Sequence, residues 1–261
     1  AVEAAGGRLQ GRPVPRQTTY EPGRSLTVRY DAVVAGPDGR TATEMLVAES
    51  RRRLPEGALV LDDGTHRIAV WRAIADPRLP GLAAAVDPEH LRQLFADLGA
   101  PVQGDITPRL RAYRPGRRAV VEVTAPDRRL FLKVIRPANA EALHRRHQLL
   151  AATSPVPRSH GWSPELGIVV LQALRGQTVR QALVNRRPLP SAGALVSLLD
   201  GLADPGELAG EVRPWGTDRF AALIAGVAPE LADRVADVAG RIAEHEARAA
   251  EEPILPVHGD F

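Results

Sequence analysis

The order of the secondary-structure signals constrains the fold of this chain more than any other feature. Segments with strand patterns fill the first two thirds of the sequence, and segments with helix patterns follow from about residue 177. Strands and helices segregated in this way are typical of α+β proteins, whereas a regular alternation indicates an α/β sheet. The sequence therefore predicts an α+β fold with a sheet-rich first part and a helical second part.

Changes in this pattern predict four segments. Residues 1–18 carry Gly, Pro and Arg without apolar periodicity, which indicates a loose tail. Residues 19–105 are predicted to form an α+β unit built from two hairpins and a helix, a size that suits a small domain. Residues 106–175 are predicted to form a second sheet unit, and residues 176–261 a helical region.

The helix of the first unit carries start and stop signals in its sequence. Asp87 is placed to cap its first turn, Pro88 suits the first helical position, and Gly99 suits the residue just past its end. These signals predict a helix between Asp87 and Gly99.

A short pattern occurs twice. Tyr20–Tyr30 reads YEPGRSLTVRY and Tyr113–Val123 reads YRPGRRAVVEV, so both begin with Tyr-x-Pro-Gly-Arg and continue into a β-rich run. Two explanations remain open: a duplicated sheet unit, or two hairpins with similar turn chemistry.

Composition excludes several classes of protein. The sequence contains no cysteine, which rules out disulfides and thiolate catalysis and is compatible with a cytoplasmic protein. The formal net charge is only +3 and aromatic residues make up 4%, which does not favour a nucleic-acid binder. Apolar runs are too short for a membrane span, so no membrane partner is expected.

The segment RRLFLKVIRP contains Lys133, the only lysine among 34 basic residues. Arginine is a planar fork with five donors, whereas lysine is a compact point charge on a flexible stem. A single retained lysine in a predicted buried strand is therefore a candidate for a contact that a guanidinium cannot make, and chance is the alternative.

The chain ends in His258-Gly259-Asp260-Phe261 after an apolar segment. A carboxylate in such a loop can accept the proton of a hydroxyl that attacks phosphorus, although an ordinary Gly-Asp turn has the same sequence. Asp260 and His258 are the candidate catalytic residues.

From about Thr107 to Phe261 the chain resembles the aminoglycoside phosphotransferase and choline kinase-like family. The shared features are the VHGDF motif, the FLKV strand, a helix after it, and an apolar strand that leads into a helical lobe. The first unit loosely resembles the extra amino-terminal unit of some actinobacterial sugar kinases, such as maltokinase. The resemblance implies a protein-kinase-like amino lobe, ATP as cosubstrate and a small hydroxylated molecule as phosphate acceptor.

The resemblance also implies roles for individual residues. Lys133 would reach the α and β phosphates of ATP, and Glu141 would be its ion-pair partner, although a first-turn acid is also favoured by the helix dipole. Gln172 and Leu174 would present backbone groups to adenine. The Tyr113–Arg118 turn, which contains Arg117, would cover the phosphates, but it has one glycine where the family has several.

In this family Mg²⁺ ligands follow the HGD motif, and this sequence has no residues there. Both ends look trimmed, so the sequence predicts a fragment of a longer kinase-like protein that lacks turnover by itself. No metal ligand is predicted within the chain. Glu141, His144 and His147 are three residues apart, but the neighbouring arginines favour a solvated helix surface over a metal site.

Three functional interpretations follow. The first is an ATP-dependent small-molecule phosphotransferase, and the second is a nucleotide-binding or regulatory module without turnover. The third is a sheet-rich interaction protein in which HGDF is accidental. The sequence does not identify the acceptor or the oligomeric state, because many hydroxylated substrates use the same fold.

Overall fold

A computed structural model describes residues 2–3, 6–200 and 216–249 of the chain. Within them the protein is α+β, with two antiparallel five-stranded sheets followed by helices. The segregation of strands and helices that the sequence predicts is confirmed.

The first sheet contains five strands in the order β1-β2-β3-β5-β4. Its strands are β1 (Arg8–Glu21), β2 (Ser25–Ala35), β3 (Thr41–Arg51), β4 (Leu59–Asp62) and β5 (Arg67–Arg72).

The prediction of a loose tail over residues 1–18 is wrong from Arg8 onward, because β1 begins there and pairs with β2. Gly11, Pro13 and Pro15 interrupt the apolar pattern and gave the segment its loop-like sequence. An edge strand tolerates such residues because only one of its sides needs backbone hydrogen bonds, and β1 lies at the edge of its sheet.

Two short helices follow the first sheet, α1 (Leu82–Ala85) and α2 (Pro88–Asp97). The Asp87 side chain accepts hydrogen bonds from the backbone N–H groups of Glu89 and His90, which confirms it as the N-cap of α2.

The second sheet has the order β6-β7-β8-β10-β9, with a helix inserted before its fourth strand. Its elements are β6 (Thr107–Arg114), β7 (Arg118–Thr124), β8 (Arg129–Ile135), α3 (Ala140–Leu150), β9 (Ser159–Ser163) and β10 (Ile168–Gln172). The two sheets therefore share one strand order, in which the fifth strand lies between the third and the fourth.

The repeated sequence pattern forms the first hairpin of each sheet. In both turns the N–H of the final arginine bonds to the carbonyl of the residue before proline, Arg24 to Glu21 at 2.9 Å and Arg117 to Arg114 at 3.0 Å. The glycine φ angles are +67° at Gly23 and +63° at Gly116, as a type II turn with Pro at its second position requires. The shared strand order favours the duplicated unit over a coincidence of turn chemistry.

Strand register makes the two sheets comparable residue by residue. Thr27 and Val120 occupy the same place after the shared tyrosine, and they pair with Glu49 and Lys133 respectively on the third strand of each sheet. Glu49 is therefore the counterpart of Lys133.

One hydrophobic cluster joins both sheets and the helices between them. It includes Val47, Ala69, Trp71, Leu82, Leu91, Phe95, Val121, Leu132 and Val170. Because the two units share this core, the boundary at residues 105 and 106 is not a gap in packing. The division into two domains at this boundary stays a prediction.

The helical region includes α4 (Val179–Val184), α5 (Ala192–Asp200), α6 (Thr217–Val227) and α7 (Ala232–Ala249). Thr178 and Gln181 form a reciprocal capping box at the start of α4. Helices α6 and α7 pack against each other.

Candidate functional site

Lys133 lies on the face of the second sheet that is opposite the shared core. Side chains alternate along β8, so Leu130, Leu132 and Val134 enter the shared core while Phe131, Lys133 and Ile135 point the other way. A second cluster on that side packs Phe131 and Ile135 with residues of α3. Lys133 is half-buried and lies on the face that α3 covers, as its predicted role requires.

His147 of α3 is the side chain that contacts Lys133. The distance from Lys133 Nζ to His147 Nε2 is 3.4 Å, and His147 Nδ1 lies 2.9 Å from the carbonyl oxygen of Pro157. Burial lowers the pKa of His147, and the positive charge of Lys133 lowers it further. Both effects favour the neutral imidazole.

Glu141 does not reach Lys133, so the predicted ion pair is wrong. The Glu141 carboxylate forms a salt bridge with Arg145 one turn later on α3, at 2.7 Å, and both side chains are exposed. The ion pairs within the described ranges include none between Lys133 and a carboxylate. Glu141 lies in the first turn of α3, where the helix dipole and the i,i+4 partner account for an acid without any role for Lys133.

The charge around Lys133 is positive. Burial lowers the pKa of Lys133, and Arg118 and Arg146 lower it further through their charges. Arg118 and Lys133 are diagonal neighbours on one sheet face, because Arg118 lies two residues before Val120, the register partner of Lys133. Neither arginine has an ion pair within the part of the chain that the structure describes. Lys133, Arg118 and Arg146 thus bring three positive charges together, and none of them has a carboxylate partner among the described residues.

The predicted phosphate-covering turn is bound to the first unit. The N–H of Gly116 donates to the buried Asp76 carboxylate at 2.7 Å, and the Tyr113 hydroxyl donates to the same oxygen at 2.7 Å. Burial raises the pKa of Tyr113, so its hydroxyl keeps the donated proton. Arg136 Nε also donates to the Gly116 carbonyl, at 3.2 Å. The glycine N–H that the resemblance assigns to phosphate is thus already used.

Arg117 also differs from its prediction. Its guanidinium pairs with Glu21, at the tip of the first hairpin of the first sheet. This contact joins the two equivalent hairpin tips and directs Arg117 to the first unit rather than to Lys133. The prediction assigned Arg117 to the phosphates because of its position in the turn. The sequence alone does not show that the other hairpin tip lies beside it.

Gln172 and Leu174 follow the apolar strand as expected, at the end of β10 and just after it. The Gln172 N–H donates to the Arg158 carbonyl at 2.8 Å, and the Leu174 carbonyl accepts from Arg129 Nη2 at 3.3 Å. Both side chains are exposed. Their adenine-binding role stays a prediction.

Asp260 and His258 lie outside the described residues. Their role in catalysis stays a prediction, and the geometry of the site is limited to the Lys133 side.

Sequence reasoning missed the histidines of α3. His144 is buried: its Nδ1 lies 2.7 Å from Ser159 Oγ, and its ring stacks on Trp162 with centroids 4.3 Å apart. The interpretation of this helix face as solvated is therefore wrong for both His144 and His147. The i,i+3 spacing was the available signal, because it places both rings on one helix face.

A pocket of about 240 Å³ lies away from Lys133, between β3, β6 and α1. Met45, Ile74, Leu82 and Leu110 contribute apolar walls, and the Arg72–Glu44 ion pair lies at its edge. It has none of the phosphate-binding chemistry of the Lys133 face, so the candidate site is placed by charge and not by cavity volume.

Comparisons with models of known protein families and with curated proteins find no match. In the described ranges, no helix is both long and apolar enough to cross a membrane. The same ranges contain no group of three acidic, histidine or cysteine side chains that could hold a metal ion.

Proposed function

We propose that this protein is an ATP-dependent phosphotransferase that acts on the hydroxyl of a small molecule, with Lys133 as the ligand of the ATP phosphates. The observation that carries the proposal is the environment of Lys133, a half-buried lysine on the third strand of its sheet. It faces the following helix and has no carboxylate partner among the described residues. This is the position that the family resemblance assigns to the phosphate-binding lysine.

Charge supports a polyphosphate as the ligand. Lys133, Arg118 and Arg146 together carry three positive charges, and the described neighbours of Lys133 include no acid that neutralises it. Burying a cation without a partner costs free energy, and a bound phosphate removes that cost.

The connectivity of the second unit is also compatible with the proposal. Three antiparallel strands, a helix and two further strands form this unit, and the helix packs on the strands beside Lys133. This is the serial order of elements on which the resemblance rests.

A second candidate, a nucleotide-binding module without turnover, is favoured by the state of the Tyr113–Arg118 turn. In kinases a glycine-rich loop covers the phosphates, but here Asp76 already accepts the Gly116 N–H. Binding through cationic side chains alone permits affinity for ATP without the closure that phosphoryl transfer needs.

The described residues do not supply a site for Mg²⁺, since they contain no cluster of carboxylates or histidines with ligand spacing. The proposal therefore routes no step through the metal. The step assigned to this chain is proton acceptance by Asp260 from the attacking hydroxyl, as the VHGDF motif implies.

The single lysine permits a direct test of the ATP site. An acyl-phosphate derivative of ATP transfers its acyl group to an amine that lies beside the phosphates, and Lys133 is the only side-chain amine in the chain. We expect acylation of Lys133, located by peptide mass spectrometry, and competition by ATP and by tripolyphosphate. Acylation that neither compound competes would contradict the proposal, and the amino terminus serves as the internal control for nonspecific reaction.

Adjacent arginines on α3 give a matched pair for the charge argument. Arg146→Ala should weaken ATP binding by roughly tenfold because it removes a cation near Lys133, whereas Arg145→Ala should not, because Arg145 already pairs with Glu141. Equal affinities for the two variants would remove Arg146 from the site.

Turnover separates the two candidates. In a version of the protein that extends past Phe261, where the resemblance implies the Mg²⁺ ligands, we expect ADP formation with one of a panel of aminoglycoside, choline and sugar acceptors. Asp260→Asn should decrease its rate by roughly 10² to 10⁴ at unchanged ATP affinity. ATP binding without turnover on any acceptor would support the binding module instead.

A further inference from the structure

His147 links the only lysine of the chain to the backbone of the α3–β9 connection. Its two ring nitrogens contact different groups, Lys133 Nζ on one side and the Pro157 carbonyl on the other. We infer that His147 is the positioning residue of Lys133, and that as a neutral Nδ1–H tautomer it aims the ammonium without neutralising it. The inference rests on the proposed function for the identity of the ligand, but its geometry stands independently of that function.

The partners of His147 determine its tautomer. A carbonyl oxygen can only accept, so the 2.9 Å contact with Pro157 requires a proton on His147 Nδ1. The Nε2 atom of a neutral imidazole then carries a lone pair, which can accept from the Lys133 ammonium at 3.4 Å. Burial and the Lys133 charge lower the pKa of His147, which favours this neutral form.

The helix that carries His147 is fixed on the sheet from the same face. One turn earlier, His144 contacts Ser159 and stacks on Trp162, both on β9. Ala140 at the start of α3 is fully buried against Val169 and Leu171 of β10. The imidazole of His147 therefore extends from a packed element, which is what positioning a flexible lysine requires.

A neutral partner changes which ligand the site prefers. A carboxylate partner would cancel the charge of Lys133, whereas a neutral imidazole leaves it in full beside Arg118 and Arg146. Each additional phosphate on a ligand then gains a further charge-assisted contact. We therefore expect affinity to rise from AMP to ADP to ATP, and tripolyphosphate to bind without a base.

The first experiment measures the tautomer of His147 in the wild-type protein and uses one variant only to assign its signal. Nitrogen-15 histidine spectra distinguish Nδ1–H from Nε2–H imidazoles, and the His147 signal is assigned by its loss in His147→Gln. We expect the Nδ1–H form at pH 7.5. An Nε2–H tautomer would overturn the inference, because its Nε2 atom could not accept from Lys133.

The second experiment uses the lysine as a single-signal reporter. Protein labelled with ¹³C-lysine gives one Cε signal, from Lys133. We expect His147→Leu to move this signal and His144→Leu to leave it in place, although both variants remove a buried imidazole from α3. Conversely, Lys133→Met should raise the pKa of His147, since the lysine charge lowers it. An unmoved lysine signal in His147→Leu would overturn the inference.

The third experiment measures tripolyphosphate affinity by calorimetry. Loss of a hydrogen bond to a charged group predicts at least roughly tenfold weaker binding for His147→Leu. His147→Gln keeps a donor for Pro157 and an acceptor for Lys133, so it should bind within about threefold of wild type, as should the His144→Gln control. Wild-type affinity in a folded His147→Leu would overturn the positioning role.

The two proposals fail in different ways. If neither the wild type nor any variant binds ATP or tripolyphosphate, the proposed function fails. The His147 tautomer and the lysine signal still test whether His147 positions Lys133. If ATP binds and acylates Lys133 but the His147 substitutions have no effect, the positioning inference fails alone.

Discussion

The two sheets place opposite charges at one equivalent position and use them differently. Glu49 and Lys133 lie on the third strand of their sheets, paired with equivalent residues of the second strand. Glu49 is 4% exposed, and its carboxylate receives both terminal nitrogens of Arg78, at 3.2 and 2.7 Å. Among the described residues, the hydrogen-bond partner of Lys133 is the imidazole of His147. The Glu49 charge is paired within the first unit, and the Lys133 charge has no carboxylate partner among the described residues.

The sheet faces explain how this difference arises. Val47, on the same side of β3 as Glu49, enters the shared core, whereas its counterpart Phe131 packs under α3. In the first sheet, the face that carries Glu49 packs toward the second unit. In the second sheet, the face that carries Lys133 packs toward α3, and the opposite face packs toward the first unit. A charge that faces the protein core needs a partner, and a charge that faces away from it can remain unpaired.

The largest effect that tests this comparison is expected in Glu49→Ala. Removing one partner of a buried ion pair leaves Arg78 without its bidentate acceptor, which should cost about 3–5 kcal/mol of stability. Urea denaturation measures the change. A loss below about 1 kcal/mol would show that the Glu49–Arg78 ion pair does not stabilise the fold as expected.

The second effect compares the two hairpin turns. A Cβ on Gly116 would lie 2.7 Å from Arg78 Nη1, whereas one on Gly23 would meet nothing within 4 Å. Both substitutions to alanine place a side chain at positive φ, which costs about 1–2 kcal/mol, and only Gly116→Ala adds a packing cost of about 1–3 kcal/mol. In thermal or urea unfolding, Gly116→Ala should therefore be clearly less stable than Gly23→Ala. Equal losses would mean that the Gly116 turn is not held against the first unit.

A smaller effect on stability is expected at Lys133 itself. Lys133→Met removes a half-buried cation that has no carboxylate partner among the described residues, so the free energy of unfolding should stay the same or rise by up to about 1 kcal/mol. The pKa of Lys133 is lower in the folded state than in the unfolded state. Between these two pKa values the unfolded state binds more protons than the folded state does. The stability of the wild type therefore increases with pH in this range. The stability advantage of Lys133→Met over the wild type should therefore decrease as the pH rises toward 10.5. A large loss of stability at pH 7 would instead give Lys133 a structural role like that of Glu49.

The smallest effect concerns the ion pair that joins the two hairpin tips. Arg117 is exposed, so Arg117→Ala should cost less than about 1 kcal/mol and should become harder to detect in high salt. ATP affinity should be unchanged, in contrast to Arg146→Ala. A clear loss of ATP affinity in Arg117→Ala would restore its predicted phosphate contact.

Local sequence signals predicted most of the elements. Asp87 and Gly99 bounded α2 because capping is a short-range effect, and the Tyr-x-Pro-Gly-Arg segments formed matching turns because Pro and Gly fix the backbone locally. Lys133 was placed on the correct strand, since the apolar residues around it mark that strand locally. By contrast, β1 was missed because its edge position, which permits Pro13 and Pro15, is a property of the sheet.

The α+β order, the repeated hairpin and the single lysine could be read from the sequence, because each depends on residues that are close along the chain. The polar contacts between distant segments could not: Glu49 pairs with Arg78, the Gly116 N–H with Asp76, and Lys133 with His147 instead of Glu141. Such contacts join segments whose separation is set by how sheets and helices pack. A side chain's neighbours across that packing are fixed by the shared core, and no local pattern encodes them.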